Sequence, residues 1–493
     1  MIPVKAAASI SLTLHILKRE PLIRKQRIVK NLKIEKIVAG GFGFARQNGK
    51  VVFVENALPG DELHAIVRKK HKDYVQAYPS EWLRLSPDRG VAFCEHFENC
   101  GGCRWQHVDY EKQLAYKEAI VKESFERVGK TNISDFRPII GSDQSRKYRN
   151  KMEYTFSNRR WLNKADMENG NPATELRGLG FHVPRAFDKV LQIKHCHLQE
   201  DTANRIRNAI YDFSISHNFS FYGLRSKEGW LRNLILRNNR KGGWMVILSF
   251  AYEDEAARNA LLNFLVYQFP DILSLQWLIN PKHNDAIYDL PVHVFYGQDH
   301  IEEMLGDFRF LIGAKSFFQT NPAQAEILYD IAGQFANLNK QQILYDLYSG
   351  TGSIGIYLSG RCSKVLGIES VAEAVEDAVK NAALNNIENT SFYCGDMKDA
   401  FDENWMATHG RPDVVITDPP RAGMHPKVVQ RLNESGAARI VYISCNPVTQ
   451  ARDIHMMEEY YQLKTLQPVD MFPHTYHVET VALLEKINLG RFL

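Results

Sequence analysis

"ILYDLYSGTGSIG", residues 343–355, decides the fold. An apolar run closes at Asp346 to Ser349, Gly350, Gly352 and Gly355 follow in GxGxxG spacing, and a helical pattern begins. A strand that feeds a helix through such a turn is the first half of a βαβ unit. Downstream the alternation continues. "KVLGIE" (364–369), "TSFYCGD" (390–396), "DVVITDPP" (413–420), "RIVYISCN" (439–446) and "VETVALLEK" (478–486) read as strands. The stretches between them, such as "VAEAVEDAVKNAALNN" (371–386), read as helices. Strands and helices alternating at this spacing imply an α/β domain over 316–493, a doubly wound parallel sheet that binds its ligand outside the carboxyl ends of the strands.

The polar residues of this region fall at those ends: Asp346, Glu369, Asp396, Asp418 and Cys445. GxGxxG alone suits a dinucleotide, whose pyrophosphate lies on a helix N-terminus. A carboxylate at each successive strand end opposes a pyrophosphate and suits a cation. S-adenosylmethionine is positive at sulfur, needs a carboxylate for its ribose and has no phosphate, so it is the better ligand. Taken singly, Asp346 or Asp396 could instead cap a helix.

"SCNP" (444–447) puts Cys445 at the same crevice, where a thiolate beside a methyl donor has a use. Carbon 5 of a uracil ring is a feeble nucleophile. Thiolate addition at carbon 6 turns carbon 5 into an enolate-like centre able to take a methyl group. The adduct must then lose the carbon 5 proton, and "HVETV" (477–481) offers Glu479 as the base, with His477 as a weaker rival. Cys362 and Cys394 read as inert thiols.

Upstream, at 29–88, short Val/Ile-rich runs alternate with turn signals at "AGGFGFARQNG" and "LPGD", which predicts a small OB-type β-barrel. Phe42, Phe44, Phe53 and Tyr74 lie there among basic residues and could stack on bases. Residues 1–90 hold seventeen Lys/Arg against eight Asp/Glu, within a chain whose net charge is +4, so this end is suited to nucleic acid. Cys94, Cys100 and Cys103, with the distant Cys196, supply four thiolates that spacing allows for zinc or an iron–sulfur cluster alike. "SRKYRNKMEY" (145–154) interleaves four basic residues with two tyrosines and reads as an RNA contact strip or as support for a central sheet.

These motifs together resemble the RNA (uracil-5-)-methyltransferases, in their iron–sulfur branch. "GGFGFARQNGKVVFVENALPGD" is similar to a TRAM domain, "CEHFENCGGCRWQ" with "KHCHL" to the cluster site, and "FFQTN", "DLYSGTGSIG", "DPPR", "SCNP" and "HVET" to the catalytic set. The resemblance implies that Gln319, Tyr348, Ser353, Glu369, Asp396 and Asp418 contact the methyl donor, Ser353 standing where many relatives carry asparagine. It implies Cys445 as nucleophile, Glu479 as base, and Phe318 near an extruded target base or in the core. It also implies a 4Fe-4S cluster on Cys94, Cys100, Cys103 and Cys196, with zinc as the lesser occupant. The substrate expected is structured RNA, 23S ribosomal RNA ahead of transfer RNA, with no obligate protein partner.

At 493 residues and 44% apolar composition the chain should form several domains. The division expected is an N-terminal extension (1–28), the barrel (29–88), a central α+β domain with the metal cluster (89–315) and the methyltransferase domain (316–493). No apolar run reaches the length of a membrane span, and a cytoplasmic protein is expected. A dehydrogenase, a DNA cytosine methyltransferase and an RNA-binding assembly factor with a vestigial catalytic domain are the competing readings.

Overall fold

The computed structural model describes residues 27–163 and 175–487, so the expected N-terminal extension lies almost wholly outside the described residues. The chain divides into two compact units, one formed by residues up to 36 with 43–86 and the other by 37–42 with everything from 87 onward.

The first unit holds most of a six-stranded antiparallel-dominated sheet: β1 (Ile28–Lys33), β2 (Lys36–Val38), β3 (Phe42–Gln47), β4 (Lys50–Val54), β5 (Glu62–Lys70) and β6 (Tyr74–Arg84), in the order β1-β5-β6-β4-β3-β2. Period-two alternation in β4 and β5 sends Val52, Val54, Leu63 and Ala65 into one core with Leu32, Ala45 and Ala77. Phe44 belongs to the buried set, whereas Phe53 and Tyr74 are half-exposed and meet edge to face at 5.2 Å. Lys36 and Arg46 approach the Phe44 ring at 5.1 and 5.6 Å.

In the second unit, helix α1 (Tyr110–Ser124) and the short strand β7 (Asp135–Phe136) precede a seven-stranded sheet. Its strands are β8 (Lys151–Ser157), β9 (Gly178–Val183), β10 (Ala186–Gln192), β11 (Leu231–Asn238), β12 (Trp244–Phe250), β13 (Ile272–Ile279) and β14 (His293–Gly297), in the order β10-β9-β8-β11-β12-β13-β14. Helices α2 (Asp201–Ser216) and α3 (Glu255–Gln268) share a core with one face of this sheet. A hairpin of β15 (His300–Leu305) and β16 (Phe308–Gly313) leads into α4 (Pro322–Ala336). Asn321 caps α4 through Gln324 N–H, and Pro322 occupies its first turn, where a missing N–H costs nothing.

The last sheet has eight strands: β17 (Ile343–Leu347), β18 (Lys364–Glu369), β19 (Thr390–Cys394), β20 (Val414–Thr417), β21 (Arg439–Ser444), β22 (Tyr461–Val469) and β23 (Glu479–Lys486), together with β7. Their order is β19-β18-β17-β20-β21-β23-β22-β7. The order reverses between β17 and β20, which is the switch point at which open α/β sheets bind ligands. The sheet is not wholly parallel as the sequence suggested: β23 runs antiparallel to both β21 and β22.

The expected break at 315/316 does not separate compact units. Ile235, Met245 and Leu278 of the central sheet share one core with Phe318, α4, Leu344 and Val441, and β7, from residues 135–136, completes the last sheet.

A carboxylate-lined cleft facing a cysteine

The turn after β17 is held by the residues that define it. Asp346 is buried and accepts from Gly355 N–H at 2.9 Å, and a Cβ on Gly355 would stand 2.9 Å from that same carboxylate oxygen. Burial, with Asp418 and Glu369 nearby, pushes the Asp346 carboxyl up to about 7. Tyr348 is held at φ 63°, a backbone region few non-glycine residues adopt. Its N–H and that of Ser349 both donate to Ile368 carbonyl, which folds the turn over β18.

Two glycines then differ in what surrounds them. Gly352 (φ 76°) lies against Phe392, 2.7 Å from where a Cβ would be. Gly350 (φ 53°) has open space at the corresponding point, with no described atom within 4 Å. Its N–H donates to Glu369 Oε2 at 3.0 Å, and the other Glu369 oxygen accepts from Ser370 and Val371 N–H. Glu369 therefore closes β18 beside a space that a ligand's backbone-hugging part can fill. Ser353 Oγ pairs with the Tyr329 hydroxyl of α4 at 2.9 Å, and Tyr329 is buried and held well above its ordinary ionisation range by that burial.

Asp396 takes the helix-capping role that the sequence also allowed. It is exposed, caps a short helix through Lys398 N–H and pairs with the Lys398 ammonium at 2.7 Å, which holds its carboxyl low. Gln319 is half-buried two residues before the α4 cap. Of its aromatic neighbours, Phe318 is 3% exposed and packs on Phe310, while Phe317 is 68% exposed. The open aromatic is the neighbour of the one singled out by sequence.

The sheet register brings the two reactive candidates together. In the β21/β23 ladder Ser444 pairs with Thr480, so the next positions outward, Cys445 and Glu479, face each other. Thr480 Oγ1 fixes that end by donating to Ser444 carbonyl at 3.2 Å. Burial, then the Glu479 and Asp418 charges, push the half-buried Cys445 thiol up to about 11, against the pull of Arg421. Burial and Asp418 push Glu479 up to about 8, again opposed by Arg421, and burial brings Asp418 to about 7. His477 is driven down to about 4, chiefly by burial, and is neutral at pH 7. A region crowded with carboxylates that resist ionisation gains from receiving a cation.

Arg421 was not singled out as a site residue by sequence, although it ends "DPPR". Its carbonyl accepts from Asn446 Nδ2 at 3.0 Å and from Thr449 Oγ1 at 3.3 Å, tying the loop after β20 to the turn that carries Cys445. Buried Asp453 completes that tie by accepting from Met424 N–H and the Tyr442 hydroxyl.

The four remaining candidates, Cys94, Cys100, Cys103 and Cys196, line one small pocket with His96, His195 and Phe181. Burial is the first cause raising each thiol, and backbone N–H groups of His96, Gly102 and Leu198 point at sulfur. Among the described residues no three ligand side chains are gathered tightly enough around one point to hold a single ion. The same segment braces the loop that leads into β23: Arg104 and Trp105 N–H both donate to His474 carbonyl. Below it lies a pair no sequence pattern announced. Lys117 and Asp470 are fully buried, 2.6 Å apart, and Asp470 also accepts from the Tyr110 hydroxyl at 2.8 Å and from Phe472 N–H at 3.0 Å.

In the strip at 145–154, Tyr148 and Tyr154 are buried and bond to Pro473 carbonyl and Gln199, so they stabilise the fold and offer no face to a base.

Comparison with known proteins converges on one family. The sequence profile of the tRNA (Uracil-5-)-methyltransferases matches residues 292–487, and that of the TRAM domain residues 24–78. An RNA methyltransferase of Bacteroides thetaiotaomicron is 47% identical over 91% of this chain and 100% of its own length. One from Chlorobaculum tepidum is 39% identical over 89% of this chain and 92% of its own. The crystal structure of Pyrococcus abyssi tRNA (uracil-54, C5)-methyltransferase with S-adenosyl-L-homocysteine is similar at 29% identity and TM-score 0.70, covering 92% of this chain and 100% of that one.

Proposed function

Since the chain belongs to the S-adenosylmethionine-dependent RNA (uracil-5-)-methyltransferase family, we propose that it methylates carbon 5 of a uridine in structured 23S ribosomal RNA through covalent addition of Cys445. The register that sets Cys445 opposite Glu479 carries this reading. The Cys445 thiolate adds to carbon 6, and the ring electrons move to carbon 5 and oxygen 4. When bound, S-adenosylmethionine supplies an electrophilic methyl group on sulfur; carbon 5 would take it as the sulfur–methyl bond breaks, its electron pair staying on sulfur and S-adenosylhomocysteine leaving. Glu479 removes the carbon 5 proton, the ring double bond re-forms and the thiolate leaves. Once ionised, a carboxyl whose pKa stands near 8 is the stronger base, and His477, held near 4, is a poor competitor.

Glu369, Asp418, Tyr348, Ser353 and Gln319 would surround the methyl donor, with the open space at Gly350 receiving it. Asp396, which holds Lys398 here, would contact it as well. The four clustered cysteines fit an iron–sulfur group in number and in the N–H groups directed at sulfur, and we assign them a 4Fe-4S cluster that ties 94–103 to Cys196.

Transfer RNA is the second reading, favoured by the substrate named for the Pyrococcus enzyme. The basic N-terminal region and the TRAM match support an RNA partner of either kind, and no described helix is long and apolar enough to cross a membrane. We place the enzyme in the cytoplasm with that RNA. Mapping 5-methyluridine in total RNA from cells with and without the gene tests the assignment. Loss of one or two ribosomal positions is expected, loss of a transfer RNA position moves the substrate, and no loss at all refutes uridine methylation.

A further inference from the structure

A groove of about 570 Å³ opens beside the start of α4, away from the β21/β23 ladder. Its wall is the turn joining β11 to β12, clamped to β15 by a hydrogen bond from Asn239 Nδ2 to Glu302 carbonyl at 2.8 Å. Its opposite edge is Asn321 and Pro322, and Asn150 N–H donates to Thr320 carbonyl at 2.8 Å, one residue from Gln319. Lys147, Arg149, Arg240 and Lys241 stand around it, with Glu200 and Asp271 as the acidic members of the rim. Lys147, Arg240 and Lys241 pair with exposed or half-exposed carboxylates, contacts that are weak in water and yield to phosphate.

The interior differs from the rim. Glu303 is 1% exposed; its Oε1 accepts from the N–H groups of Arg240 and Met304, and the Asn150 side chain also hydrogen-bonds to this carboxylate. Its Oε2 has no hydrogen-bond partner among the described residues. The same holds for Asn150 Oδ1, on a residue 5% exposed, and for Asn238 Oδ1. All three residues line the groove. Burial raises the Glu303 carboxyl above its ordinary range, so it gains from a partner that donates hydrogen bonds.

Three unused acceptors, one of them a carboxylate, inside a basic rim describe what they would take: a group rich in N–H donors attached to a phosphate chain. Among the nucleobases, guanine alone presents adjacent N1–H and N2–H donors on one edge, the pattern a carboxylate accepts in bidentate fashion. Adenine and cytosine place an acceptor beside their amino group, and uracil has a single N–H. We propose that this groove is a second base pocket, which holds an unpaired guanine of the RNA while the target uridine occupies the cleft at Cys445. The inference rests on the RNA substrate proposed above.

The test is binding of fluorescein-labelled hexauridylate, and of the same hexamer with one central guanosine, inosine, adenosine or cytidine, to the anaerobically purified full chain saturated with S-adenosylhomocysteine. Guanosine should tighten binding by about tenfold over uridine, and inosine, which keeps N1–H and lacks the 2-amino group, by about threefold. Adenosine and cytidine should match uridine. Glu303→Gln, which keeps the Oε1 acceptor and turns a donor toward the base, should cut the guanosine preference below twofold and leave hexauridylate binding unchanged. Equal affinities for all five hexamers in the unsubstituted protein overturn the proposal, as does a guanosine preference that survives Glu303→Gln. Should that variant fail to fold, the ranking of guanosine over inosine over uridine in the unsubstituted protein still decides. Covalent trapping by a 5-fluorouridine RNA, run on the same protein with S-adenosylmethionine in place of S-adenosylhomocysteine, keeps the two readings apart: trapping without guanosine preference overturns the pocket alone, and preference without trapping overturns the methyltransfer reading alone.

Discussion

Replacing Glu479 by glutamine should make Cys445 more reactive while disabling turnover. The carboxylate faces the thiol across the end of the β21/β23 ladder, and its negative charge opposes the thiolate. Burial is the largest cause of the rise of Cys445 to about 11, and Glu479 the next. Its removal should lower the thiol on the order of one pKa unit, about tenfold in thiolate fraction at a given pH. The sign depends on pH through Glu479 itself. Below its pKa of about 8 the carboxyl is already neutral in the unsubstituted protein, so both proteins should react alike. Above it they should diverge. The assay is alkylation by iodoacetamide from pH 6 to 10, with the Cys445 peptide followed by mass spectrometry and the exposed Cys394 as internal standard. Equal Cys445 rates at pH 6 and a several-fold faster Glu479→Gln protein at pH 9 are expected. Equal rates at both pH values would show that the carboxylate does not act on the sulfur, and the facing arrangement would be refuted.

Gly352→Ala should destabilise the fold, since its Cβ meets Phe392 at 2.7 Å, at about 1–3 kcal/mol beyond the backbone cost, read by urea unfolding. Gly350→Ala, with open space around it, should lose only the left-handed backbone cost of about 1–2 kcal/mol yet weaken S-adenosylhomocysteine binding at least tenfold, read by calorimetry. Lys117→Met, which strands buried Asp470, should lose about 3–5 kcal/mol, and Lys117→Met with Asp470→Asn should recover part of it in the same unfolding assay. Anaerobic protein should carry about four irons per chain, and Cys196→Ser should lower that content in elemental analysis.

The alternation from Ile343 to Lys486 was legible because each buried strand is a short apolar run bounded by turn residues, whereas the switch point came from the strand order. β22 was not, because "YQLKTLQPV" carries Gln462, Lys464, Gln467 and Pro468, residues that suit an exposed segment. Its polar interior is satisfied from far away: Gln467 Nε2 donates to Pro138 carbonyl at 2.7 Å, a contact that only the folded chain creates. Lys117 was invisible for the same reason, its partner lying 353 residues later. Spacing also cannot tell which of two adjacent aromatics turns inward; the sequence left Phe318 between the target base and the core, and the structure packs it in the core while Phe317 is exposed. Asp396 shows the converse limit, since a carboxylate at a strand end is equally an N-cap, and here it serves as one. Cys445 and Glu479 were readable singly; that they face each other came from the register of two strands whose antiparallel pairing the sequence did not reveal.

The most direct measurement is mass spectrometry of the protein after incubation with S-adenosylmethionine and a 5-fluorouridine-substituted RNA substrate. Fluorine at carbon 5 cannot be removed by Glu479, so a denaturant-stable adduct should accumulate with the methylated nucleotide on the Cys445 peptide, and Cys445→Ala should form none. An adduct on another residue, or methyl transfer undiminished in Cys445→Ala, would contradict thiolate addition at this site.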